Sequence, residues 1–130
     1  KSSAASDVYK RQVFDYLRRA REAGDTYDLI ILDPPKFASS HYHVDRAARA
    51  YKDINLNGLR LLRAGGQLLT FSCSGAIDTD LFQKIVAGAV IDSRRQAWAL
   101  SRFGAGVDHP LLMTFPEGEY LKGLHLKLCD

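Results

Sequence analysis

Apolar positions along the chain change period several times, and the changes mark out alternating helices and strands. From Val13 to Ala23, the residues Val13, Phe14, Leu17 and Ala20 recur at helical spacing with Arg18, Arg19 and Glu22 between them, which predicts a short amphipathic helix. Gly24 is placed to cap it, and Tyr27 to Leu32 follows as an isoleucine-rich apolar run, the pattern of a buried parallel strand. A second helical period runs through Val44, Ala47, Tyr51, Ile54, Gly58 and Leu62 and is expected to stop at Gly65-Gly66. Gln67 to Ser74 reads as the next strand. Asp78 then caps a third helix carrying Leu81, Phe82, Ile85, Val86, Ala89 and Val90. Ala97 to Phe103 is a further strand. Leu111 to Phe115 is apolar, Pro116-Glu117-Gly118 turns, and Leu121 to Cys129 alternates Leu124, Leu126 and Leu128 against His125 and Lys127, predicting a last strand that returns antiparallel.

This α, β, α, β, α, β order predicts an α/β fold with a doubly wound, mostly parallel sheet and an antiparallel last strand. In such sheets ligands sit outside the carboxyl ends of the strands. Asp33 and Cys73 both fall at such ends, and if their strands are neighbours, about 4.8 Å apart, the two side chains share a pocket.

The chain has 130 residues, 46% of them hydrophobic, enough for one compact domain with a core. Its apolar runs fall far short of the roughly 20 residues that span a bilayer, and no charged-then-apolar leader opens it, so a cytoplasmic protein is the expectation. Cys73 and Cys129 read as reduced thiols. The net charge of +3 would suggest an anionic partner. Residues 1–12 weaken that suggestion, because they show no apolar period and Asp7 to Gln12 reads as the translation of a transposon-end adaptor used in sequencing libraries. Setting them aside as non-native removes three of the 18 bases and one of the 15 acids, which leaves a net charge of +1. The expected organisation is therefore an adaptor-derived segment over 1–12 and part of a catalytic domain over 13–130.

Two motifs carry chemistry. In Asp33-Pro34-Pro35-Lys36-Phe37 a strand ends in an acid on a loop stiffened by two prolines, since proline fixes its own φ and restricts the residue before it. A strand followed by Asp-Pro-Pro resembles the place in nucleic-acid methyltransferases where target base and methyl donor meet. In Thr70-Phe71-Ser72-Cys73-Ser74-Gly75 a cysteine leaves a strand into a small-residue turn, where a thiol gains the exposure a nucleophile needs. Alone, Cys73 would read as a small buried hydrophobe and Asp33 as a cap. Together they suit methylation at carbon 5 of a pyrimidine, which becomes nucleophilic only after a thiolate adds to carbon 6. Asp33 suits the group that hydrogen-bonds or protonates nitrogen 3.

Lys36 and Lys52, with Phe37 and Tyr51, suit contacts to phosphates and a stacked base, the alternative being solvent-facing lysines and core aromatics. Asn55 lies one turn from Tyr51 and is a candidate for shaping the pocket. His41 and His43 lack partner ligands at metal spacing, so no metal is expected. His109-Pro110 suits a turn beside the pocket.

The segments Asp28 to Phe37, Tyr51-Lys52-Asp53-Ile54-Asn55, Gly65-Gly66 with Leu68 to Gly75, Asp80 to Ile85, Asp108-His109-Pro110 and Pro116 to Gly123 occur in an order that resembles the bacterial 23S ribosomal RNA large subunit methyltransferase I family. The resemblance covers nearly everything after residue 12. It implies the C-terminal half of a class I, Rossmann-like methyltransferase domain that uses S-adenosyl-L-methionine to make 5-methylcytosine in 23S ribosomal RNA. By the same resemblance Cys73 and Asp33 are catalytic, and Asp33 and Pro34 belong to the cofactor-facing edge; Pro35, Lys36, Phe37, Tyr51, Lys52 and Asn55 are the candidates for binding the RNA. Two departures qualify it. The family's glycine-rich cofactor loop and ribose-binding acid should precede this chain, which implies an inactive fragment; and Pro35 and Lys36 stand where many RNA cytosine-5 methyltransferases carry a second cysteine, so the base that removes the carbon 5 proton is not identified. Two competing expectations are an exocyclic-amine methyltransferase acting on adenine or guanine, and a noncatalytic RNA-binding module.

Overall fold

The computed structural model describes residues 2–37, 43–104 and 121–130, with side chains from residue 11 onward. Helix α1 spans Ser2–Glu22, longer at its start than the helix expected from Val13. The stretch contains no glycine or proline, and once the apolar face of Val13 to Ala20 is packed, adding further turns upstream needs no new nucleus. Its end is a Schellman motif: Gly24 takes φ +75°, its N–H donates to the Arg21 carbonyl, and the Asp25 N–H donates to the Ala20 carbonyl. Strand β1 follows at Tyr27–Leu32.

Helix α2 spans Val44–Leu61 and buries Ala47, Ala50, Tyr51, Ile54, Asn55, Gly58, Leu59 and Leu61. It stops four residues before Gly65-Gly66, because Leu62 is already extended and begins β2, Leu62–Ser72. The two glycines thus lie inside a strand. Gly65, at φ +74°, accommodates a register slip in which Tyr27 pairs with Leu62 but Leu29 already pairs with Gln67. Helix α3, Thr79–Asp92, begins at the predicted cap, where the Asp78 carboxylate accepts from the Leu81 N–H at 2.7 Å. Strands β3, Ala97–Gly104, and β4, Lys122–Leu128, complete the described elements. His41, His109 and Pro110, the Leu111 to Phe115 run and the Pro116 to Gly118 turn lie outside the described residues.

The sheet order is β1-β2-β4-β3. Strand β1 pairs parallel with β2, and β4 pairs antiparallel with both β2 and β3, so three strands run one way and the last element is inserted among them against the grain. Fold class and strand direction match the expectation. Among the described residues the helices cover only one face, and on that side Leu17, Leu32, Tyr51, Ile54, Leu68, Phe82, Val86, Leu124, Leu126 and Leu128 form one buried cluster. The opposite face is open, with Ile31 and Trp98 exposed at 59% and 68%. Parallel strands normally bury both faces, and this sheet buries one. No described helix is long and apolar enough to cross a membrane.

Candidate functional site

Strand alternation decides which side chains reach the carboxyl end of the sheet. Leu32 is buried against the helices and Asp33, the next residue, is exposed; Ser72 is buried and Cys73, the next residue, is partly exposed as a free thiol. Because Leu32 pairs with Thr70, Asp33 leaves β1 beside the last residues of β2, and Cys73 leaves β2 immediately beyond. The acid and the thiol therefore occupy the same end of two hydrogen-bonded parallel strands. Among the described residues Asp33 has no cationic partner.

The backbone under the thiol is tied from three directions. The Ser74 N–H donates to Ser72 Oγ at 3.2 Å, closing the turn on itself. Ser74 Oγ and Tyr51 Oη share a hydrogen bond of 2.7 Å, linking the turn to α2. Lys122 Nζ donates to the Ser74 carbonyl at 2.9 Å, linking the same turn to β4. Ser72 and Ser74 are buried along with these partners.

Tyr51 is fully buried, at 0% exposure, which corrects its expected role as a base-stacking surface residue. Its ring lies 4.8 Å from that of Phe37 and meets Phe82 edge-on at 6.0 Å. Tyr51 is a strut instead, holding the Asp33 loop through Phe37 and the Cys73 turn through Ser74. Desolvation raises its phenol pKa above the ordinary tyrosine value, while hydrogen bonds to Ser72 and Ser74 oppose that rise.

Asn55, expected to shape the pocket, lies in the core, and Lys52, expected at a phosphate, lies on the α2–α3 surface. Asn55 is completely buried and donates from Nδ2 to the Tyr51 carbonyl at 2.8 Å, so it packs within the core one turn along α2. Lys52 reaches across to α3, where Nζ pairs with Asp92 Oδ2 at 2.8 Å, at the opposite end of α3 from the Cys73 turn. Phe37 is half-buried and anchors its loop on Tyr51, whereas Pro35 and Lys36 remain exposed beside Asp33 and Pro34 is buried. His43 stands exposed at the start of α2.

Lys122 is the residue that the motif reading missed. It is 4% exposed and shares the parity of Leu124, Leu126 and Leu128, so the alternation of β4 already placed it on the helix-covered face. Next to it Gly123 lets two rings close over the strand: Phe71 on β2 and Phe103 on β3 stack with centroids 6.0 Å apart, both paired in register with Gly123. A groove of about 290 Å³ lies elsewhere, between α3 and strands β3 and β4, and its lining includes neither Asp33 nor Cys73.

Three comparisons bear on this arrangement. No protein-family model matches the chain. It is 53% identical over 112 residues to the ribosomal RNA large subunit methyltransferase I of Shewanella frigidimarina (strain NCIMB 400), covering 86% of this chain and 28% of that protein. It is 50% identical over 118 residues to the Shewanella denitrificans protein of the same name, covering 91% and 30%, and 50% identical over 111 residues to that of Erwinia tasmaniensis, covering 85% and 28%. The chain thus spans less than a third of the length of these relatives. Among solved structures it superposes with a TM-score of 0.70 and 25% identity on SMU.776, a candidate methyltransferase crystallised with SAH, covering 88% of this chain and 30% of that one. A candidate SAM-dependent methyltransferase from Streptococcus mutans gives a TM-score of 0.69, again at 25% identity, covering 88% and 29%.

Proposed function

Taking as premise that the chain is homologous to a segment of the ribosomal RNA large subunit methyltransferase I proteins, we propose that it forms the base-facing part of a methyltransferase that modifies carbon 5 of a cytosine in 23S ribosomal RNA. The observation that carries the reading is the partly exposed Cys73 beside the exposed Asp33 at the carboxyl ends of β1 and β2. The activity is that of the longer proteins, in the cytoplasm, with S-adenosyl-L-methionine as cofactor. Residues 1–12 are read as non-native, and matches of 111 to 118 residues leave room for such a segment.

The residues present fit one wall of the cofactor site. S-adenosyl-L-methionine supplies a methyl group on a positively charged sulfonium. Asp33, a carboxylate without a cationic partner among the described residues, and Pro34 behind it would face that charge. Cys73 adds through its thiolate to carbon 6 of the cytosine, and Asp33, protonated when the base binds, donates its proton to nitrogen 3, where negative charge builds up; the carboxylate left behind is the form that faces the sulfonium, and it takes the proton back when the thiol leaves. Carbon 5 then carries enamine electrons and would accept a methyl group from the bound sulfonium, which would leave as a neutral thioether. A base removes the carbon 5 proton, and the carbon 6–sulfur bond breaks to return the Cys73 thiolate. Lys36 and Pro35, exposed on the same loop, face the RNA, with the lysine suited to a phosphate.

The test replaces the cysteine matching Cys73 by serine in an intact relative. Methylation of ribosomal RNA should stop, and RNA containing 5-fluorocytosine should form a covalent adduct with the parent enzyme but not with the variant. Surviving methylation on an exocyclic amine would replace this reading with the amine-methylating one. RNA binding with no methylation by the parent enzyme would favour a noncatalytic module.

A further inference from the structure

Strand β4 carries a lysine where its alternation calls for a fourth leucine. Lys122 pairs in register with Ser72 on β2 and Gly104 on β3, so it enters the sheet at the very end of β2, under the turn that displays Cys73. Burying an ammonium costs several kcal/mol unless other groups compensate it, so a lysine at this position implies a role. Its Nζ donates to the Ser74 carbonyl, one residue past the thiol. Among the described residues, the titratable and charged groups around it include Cys73 from the turn, Asp78 at the cap of α3 and, through Ser74, the Tyr51 phenol of α2.

We infer that Lys122 is the positioning residue of the Cys73 thiol, fixing the Ser72-Cys73-Ser74 turn from inside the fold and setting a positive charge behind the sulfur. The inference rests on the reading of Cys73 as the nucleophile. Neutral residues would suffice to tie the turn down, as Tyr51 and Ser72 already do. The distinctive contribution of Lys122 is charge. Burial lowers its ammonium pKa below the ordinary lysine value, and ionised Cys73 and Asp78 act in the other direction to keep it protonated. A cation beside a cysteine favours the thiolate, the form that attacks carbon 6.

The experiment uses the 130-residue chain with Cys129→Ser, so that Cys73 is the single thiol. Its rate of alkylation by iodoacetamide at pH 7 is measured in that background and with Lys122→Met or Lys122→Arg, alongside circular dichroism to verify folding. Removing the charge should slow alkylation about tenfold, and arginine should restore most of the rate, since a neighbouring opposite charge is worth about one pH unit or more to an ionising group. A folded Lys122→Met chain that reacts within about twofold of its parent would overturn the inference. A second measurement needs no change at Lys122: its amine is titrated by NMR before and after Cys73 is capped as a neutral thioether. The amine should titrate at lower pH after capping, and an unchanged titration would also overturn the inference. Neither readout requires methyl transfer, so loss of the nucleophile reading in the serine test above would be seen separately.

Discussion

Replacing Tyr51 by phenylalanine isolates one hydroxyl in the strut beneath the site. The ring contacts with Phe37 and Phe82 survive, and the bond of 2.7 Å to Ser74 Oγ is lost. Both residues have 0% exposure, so the Ser74 hydroxyl cannot turn to bulk water instead. Losing one partner of a buried hydrogen bond costs about 1–3 kcal/mol; Tyr51 also interacts with the Ser72 hydroxyl, which can reorient, and with the Phe37 backbone, which cannot, so a loss within that range is expected. For a domain of this size that is a fall in Tm of roughly 3–15 °C. Thermal and urea unfolding followed by far-ultraviolet circular dichroism measure it. Because the two hydroxyls act as a pair, Tyr51→Phe combined with Ser74→Ala should cost clearly less than the two single changes added together.

The same residue predicts a pH dependence. The raised folded-state pKa means that stability is fully present below the unfolded tyrosine pKa near 10.0 and is lost as pH rises from there through the folded value. Tyr51→Phe should flatten that alkaline decline. Strict additivity of the single changes, or an alkaline slope identical in the variant, would refute the strut argument.

Two further predictions concern the frame around the site. Arg95 donates from Nη1 to the carbonyls of Leu59 and Leu62 at the end of α2 while its other nitrogens hold Asp130, so Arg95→Ala should cost about 2–3 kcal/mol in urea unfolding, and Asp130→Asn, which removes only the exposed partner, much less. Gly123→Ala would set a methyl group 2.4 Å from Phe71 Cδ1 and force the Phe71 and Phe103 rings apart, a loss of about 1–3 kcal/mol that should largely vanish when Phe71→Ala is already present.

Period, caps and strand ends were legible from the residues. The alternation of helices and strands, the Asp78 cap and the placement of Asp33 and Cys73 at strand ends all follow from local patterns, and the structure repeats them. Tyr51 was legible as core as well, because it lies on the apolar stripe that predicted α2, and Asn55, one turn on, shares its buried face. Lys122 was legible by parity. Gly65-Gly66 misled because glycine ends helices and also permits strand bulges, and only the pairing with β1 tells which applies. The order β1-β2-β4-β3 was not legible at all, since which strands become neighbours depends on contacts between segments far apart in the chain.

That strand order has a consequence for how the molecule is made. During synthesis β1, β2 and β3 all leave the ribosome before β4, yet among the described strands β2 and β3 are joined through β4, so this part of the sheet stays open until β4 slides in. Such long-range closure is slow compared with helix formation. Because β4 begins with Lys122, the contact beneath the Cys73 turn waits for that strand, and the thiol is set in place only after β4 has entered between its two neighbours.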